Sequence, residues 1–174
     1  MMKIKVLVII LISVFLLSCV KEKRKGYKEN NIFEEFEKRD GFAIFHLPPV
    51  LFKVFLNSSD IEESVQSNLL ENIEIVKVLF YEEKDTLNKV DDYKIIFLQK
   101  IPEYNYNLIT QITEEKNQIS VYLNEEEENI HEILMVVISE KDIFCVNCIG
   151  KFTKEDALTL YKTISWDKVK NMEK

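Results

Sequence analysis

The sequence predicts an α+β fold: a mostly antiparallel sheet of about six strands, with helices packed on one face. Two observations carry this. From Asn105 onward, apolar residues recur with period two in four stretches separated by short polar connections, the pattern of an antiparallel meander. Before Asn105, apolar stripes of helical spacing alternate with two β-rich runs, Phe42 to Leu47 and Ile73 to Tyr81.

The elements follow in chain order. Asn31 can cap a short helix with Phe33 and Phe36 on one side and Glu34, Glu35 and Glu37 on the other, and Gly41 ends it. Phe42 to Leu47 reads as a strand apolar on both faces. Pro48-Pro49 stops it, and Pro49 is placed to open a helix through Leu56. That helix is apolar almost all round, which predicts burial on every side. Ser59 with Glu62, or Asp60 with Glu63, offers a capping box for a helix whose stripe is Ile61, Val65, Asn68 and Leu69.

Ile73 to Tyr81 is the next strand. Asp91-Asp92 can cap a helix carrying Tyr93, Ile96, Phe97 and Ile101 and stopped by Pro102, although Ile95 to Leu98 would also suit a strand. The meander strands are Tyr106 to Ile112, Ile119 to Leu123, Ile130 to Ser139 and Ile143 to Ile149. Thr153 caps a final helix, Asp156 favours its positive end, and Ala157, Leu160, Tyr161 and Ile164 form its buried stripe.

The N-terminus predicts a location. Met1 to Lys5 holds two lysines and no acid, and Val6 to Leu17 is apolar except for Ser13. A basic start, an apolar run and small Ser18 lay out a secretory signal peptide. The run is too short to cross a bilayer, which takes ~20 helical residues. Cys19 follows Leu16-Leu17-Ser18 directly, and that tetrad resembles the bacterial lipobox. The resemblance implies cleavage before Cys19 and acylation of it, palmitate included. An ordinary signal peptide, or an uncleaved anchor with a chance cysteine, is the plain alternative.

The expected organisation is therefore a signal peptide over residues 1–18, a basic polar tether over 19–30, one α+β domain over 31–166, and a frayed tail over 167–174. All 30 acidic residues follow residue 18, whereas Lys3 and Lys5 leave with the leader, so the net charge moves from −7 to −9. Such a chain repels nucleic acid. Attachment to the membrane of the cell envelope would rest on the lipid alone.

A family resemblance rests on several features together. A lipobox precedes a Phe-rich helix, then Asp40-Gly41 and a strand running into Leu47-Pro48-Pro49. A strand before Phe80-Tyr81-Glu82, the segment Tyr106-Asn107-Leu108-Ile109, the strand Glu132-Ile-Leu-Met-Val-Val-Ile138 and a last strand closing on Ile149-Gly150 complete the set. The combination resembles the bacterial lipoprotein family called domain of unknown function 4252 (DUF4252). The resemblance implies an envelope compartment and this fold, and it brings no catalytic residue. Cys145 and Cys148 depart from it, standing where apolar residues are expected.

Chemistry has few footholds. Three glycines, at Gly26, Gly41 and Gly150, cannot build a phosphate-cradling loop. Cys145-Val146-Asn147-Cys148 has redox or half-metal-site spacing. In a strand, however, residues three apart face opposite ways with Cα atoms ~10 Å apart, beyond the ~7 Å that a disulfide spans. His46 and His131 are far apart in sequence. Glu125 to Glu128 lack the interleaved Asp, Asn and Gly of a calcium loop and read as a solvated hairpin tip.

No catalytic, cofactor or metal residue is assigned, and Cys19 is the one modification site. The expected function is a non-enzymatic envelope lipoprotein that binds a partner or supports envelope structure. A carrier with an apolar pocket near Phe52, Phe55 and Tyr106 is the alternative, and a thiol redox protein using Cys145 and Cys148 the third.

Overall fold

A computed structural model describes residues 32–56, 62–82, 90–114, 116–127 and 129–164. The signal peptide, Cys19, the tether, the predicted caps Ser59 and Asp60, and Trp166 with the tail lie outside these residues.

Six strands form one fully antiparallel sheet: β1 (Phe42–Leu47), β2 (Ile73–Glu82), β3 (Asn107–Glu114), β4 (Asn117–Glu126), β5 (Asn129–Ile138) and β6 (Asp142–Phe152). Their order across the sheet is β1-β2-β6-β5-β4-β3. The meander β3 to β6 is thus as expected, and β1 and β3 are the edges. Among the described residues four helices accompany it: α1 (Pro49–Phe52), α2 (Glu63–Asn72), α3 (Val90–Glu103) and α4 (Lys154–Thr163). The Phe-rich start forms a 3-10 turn, Ile32–Glu35, and a second one, Lys53–Phe55, follows α1.

The α+β class and strand number match expectation, but helices cover both faces of the sheet. On one face, Phe52 of α1, Leu69 of α2 and Ala157 and Leu160 of α4 pack on Val76, Val78, Met135, Val146 and Cys148. On the other, Ile32, Phe33 and Phe36 join Phe97 and Ile101 of α3 over Leu79, Tyr81, Leu134, Val136 and Cys145. The reason is visible in β5 and β6. Their burial is continuous along the strand, so both sets of alternating side chains are apolar and each needs a cover.

Two helix readings change. The segment opened by Pro49 is not buried all round. It buries Phe52 and Leu56, whereas Val50, Leu51 and Val54 are 74%, 51% and 63% exposed. It lies at the flank of the sheet over β2, so one side meets the core and the other is exposed. In α2, Val65 and Asn68 face solvent, and the buried line is Gln66, Leu69 and Ile73. Those residues share a face at i, i+3 and i+7, which an apolar count alone could not prefer.

The segment over Asp91 to Pro102 is a helix, and Pro102 sits within its last turn. Thr153 and Asp156 form the expected capping box: the Thr153 N–H donates to Asp156 Oδ2 at 2.8 Å and the Asp156 N–H to Thr153 Oγ1 at 3.1 Å.

The two glycines within the described residues mark close approaches. Gly41 has φ +84°, and a side chain there would press on the Tyr81 ring at 2.7 Å. A methyl on Gly150 would meet the Asn72 carbonyl oxygen at 2.0 Å, where the end of α2 crosses β6.

Candidate functional site

The cysteine pair is the first place to look for chemistry. Strand alternation on β6 turns Cys145 into one core and Cys148 into the other, and both thiols are free. Both are fully buried, and burial pushes each thiol above its ordinary range. A thiol that is neither exposed nor ionised is a poor nucleophile, and these two cannot approach each other.

A buried polar cluster joins elements whose proximity apolar patterning does not announce. Tyr106, just before β3, donates its phenol O–H to Glu132 Oε2 of β5 at 2.5 Å. Asn147 of β6 donates Nδ2 to the same carboxylate oxygen at 2.5 Å and to Tyr106 Oη at 2.9 Å. Glu132 is 0% exposed, and Asn147 Oδ1 has no hydrogen-bond partner among the described residues. Beside it, Asn124 of β4 donates to the carbonyls of Tyr104 and Asn105, holding the turn where Asn105 takes φ +59°. The signal was there in part: Glu132 falls on the strand face shared by Leu134, Val136 and Ile138. Its partners come from other elements and were not legible.

A second link joins the N-terminal turn to α3. Tyr104 Oη donates to Glu35 Oε1 at 2.6 Å, and Lys100 approaches the same carboxylate at 3.7 Å. The hydrogen bond to Glu35, with some burial, pushes the Tyr104 phenol up to about 12.

These contacts fasten the long connection from β2 to β3 onto the sheet. Tyr106, Glu132 and Asn147 are all buried, so their cluster presents no reactive group to solvent.

The remaining candidates disperse. His46 on β1 and His131 on β5 are three strand spacings apart, ~14 Å. Among the described residues no cluster of His, Cys, Asp and Glu is arranged for a metal ion. Glu125, Glu126 and Glu127 are exposed at the β4–β5 hairpin, where the solvated tip was expected. Phe52 and Tyr106 lie in opposite cores, so they cannot line one pocket as the carrier reading required.

Surface hollows among the described residues include two of note. One, of about 350 Å³, is rimmed by charged Lys94, Lys116 and Glu140 near the β3–β4 turn. The other is an apolar groove of about 450 Å³ between the β3–β4 face and α4. Its walls are Ile109, Val121 and Leu123 on the sheet and Ala157, Leu158 and Tyr161 on the helix, with Glu125 and Lys154 at one end. Ile109 is the extra residue of a bulge between Leu108 and Thr110, and the bulge turns an additional apolar side chain into the groove.

Residues 34–160 match the domain of unknown function DUF4252, from the 3-10 turn to the middle of α4. The chain belongs to the DUF4252 family. The match spans all six strands, so the DUF4252 unit is this sheet with its two helical layers. Both residues that most constrain its backbone, Gly41 and Gly150, fall within it. Neither curated proteins nor solved structures gave a match to the chain.

Proposed function

We propose that this DUF4252 protein is a lipoprotein of the bacterial cell envelope, anchored through Cys19, whose domain binds a protein partner and catalyses nothing. The observation that carries the reading is an inversion of the usual placement. Cys145, Cys148 and the hydrogen-bonded Glu132 are sealed in the cores. Large apolar side chains stand on the surface instead, in the α1 face and in the groove beside α4. Exposed apolar patches of that kind mark interaction sites.

Among the described residues no helix is long and apolar enough to cross a membrane. The Leu16-Leu17-Ser18-Cys19 tetrad supports anchoring by lipid. A small apolar ligand is the second reading, because about 450 Å³ falls within the range of small-molecule sites.

The test places a photo-reactive residue at Val50, at Leu158 and at exposed Glu82 of the full-length chain in intact membranes. A discrete protein adduct from Val50 or Leu158, and none from Glu82, is the expected result. Absence of adducts from both apolar positions would sink the binding-module reading.

A further inference from the structure

We infer that the groove between the β3–β4 face and α4 seats one short amphipathic helix of a protein partner, with a basic end lying against the Glu125–Glu127 hairpin. The inference rests on the binding-module reading and names the surface and the partner class. Geometry sets the kind of occupant. On this face α1 packs over β2, α2 over β2 and β6, and α4 over β6, and at the β3 edge beyond buried Val121 and Leu123 the side chain of Ile109 is 53% exposed. Two strands span ~10 Å, the width of a helix with its side chains. The walls are ~13 Å long from Val121 to Glu125 and ~10 Å from Lys154 to Tyr161, enough for two helical turns.

The lining selects apolar side chains from the guest. Ile109 and Leu158 face the groove from opposite walls and are each 53% exposed, while Val121 and Leu123 form its buried floor. A guest with apolar residues at i, i+3 and i+4 would cover the exposed Ile109 and Leu158 on the two walls together. The bulge at Ile109 argues against an added strand on the β3 edge. It breaks the regular ladder there and commits the side chain to the groove.

Charge sets the orientation and opposes a second copy as the guest. Glu125, Glu126 and Glu127 are exposed at one end, and no ion pair to them exists among the described residues. Among the residues that line the groove, Lys154 is the cation. A basic end on the guest meets this acidic tip favourably, whereas a chain of net charge −7 brings mostly repulsion.

The experiment uses the full-length protein in lipid nanodiscs, with empty nanodiscs as background. The probe is a stapled helical peptide with photo-leucines at i, i+3, i+4 and i+7 and two lysines at one end. Controls are its scrambled isomer, a form with glutamates for lysines, and an alternating strand-forming peptide. Cross-links are expected on Ile109, Leu158 and Tyr161, with affinity at least ~10-fold above that of the scrambled isomer. Leu158→Glu should lower it ~10-fold, and Glu125→Lys should weaken the lysine form while sparing the glutamate form.

Leu158→Ala, a milder change at an exposed site, keeps the test valid should Leu158→Glu unfold. Equal binding of the scrambled isomer, preference for the strand-forming peptide, or Leu158-dependent dimers in sedimentation would each overturn the inference. Membrane adducts from Val50 without any from Leu158 would discard the groove while leaving the binding-module reading in place.

Discussion

Cys145 and Cys148 stand three residues apart on β6 and point into opposite hydrophobic cores. That relationship separates a thiol pair from a disulfide. Alkylation of the denatured protein without reductant should find two free thiols on the peptide carrying both. A two-dalton deficit linking them would overturn the placement. Changing both to alanine should cost about 1 kcal/mol at each site through lost packing, with no loss of any redox phenotype.

Gly150 permits α2 to cross β6. A methyl at that position lies 2.0 Å from the Asn72 carbonyl oxygen, and backbone on both sides resists moving. Gly150→Ala should lower unfolding stability by roughly 2–4 kcal/mol in a denaturant titration. A cost under ~0.5 kcal/mol would mean that the helix end yields easily, contrary to the close crossing.

Glu132 accepts hydrogen bonds from Tyr106 and Asn147 in a buried site. Glu132→Leu strands both donors and should destabilise by about 2–4 kcal/mol. Adding Tyr106→Phe removes one stranded donor and should restore about 1 kcal/mol. Strict additivity of the two changes in chemical denaturation would show that the pair is not coupled.

Tyr104 supplies a pH dependence. Its phenol is neutral while it donates to Glu35, and its folded value is pushed up to about 12 from an ordinary 10.0. The stabilisation is therefore present in full below pH ~10 and fades as pH rises toward ~12. The stability gap between wild type and Tyr104→Phe should shrink over that window. A gap unchanged across it would contradict the hydrogen bond's role.

Much of this architecture is written in local pattern. The period-two runs from Tyr106 to Ile149 are the meander, and Thr153 with Asp156 announces α4 because a capping box needs only residues three apart. What was not legible depends on long-range placement. Six of the seven residues from Val50 to Leu56 are apolar and carry no asymmetry, so nothing local reveals that Val50, Leu51 and Val54 are exposed. Continuous burial along β5 and β6 demands two helical layers, but the side of each helix follows from how the connections cross the sheet. The Tyr106–Glu132–Asn147 cluster joins a turn and two strands, and the groove owes Ile109 to a bulge, which apolar spacing does not announce.

The central claim, a lipid-anchored envelope protein, is tested most directly by the intact mass of the full-length chain recovered from membranes. The account predicts a species beginning at Cys19, without residues 1–18, carrying acyl chains on that cysteine, and a Cys19→Ser form that remains an unprocessed precursor. A wild-type mass equal to the unmodified chain, or to a processed chain without lipid on residue 19, would contradict it.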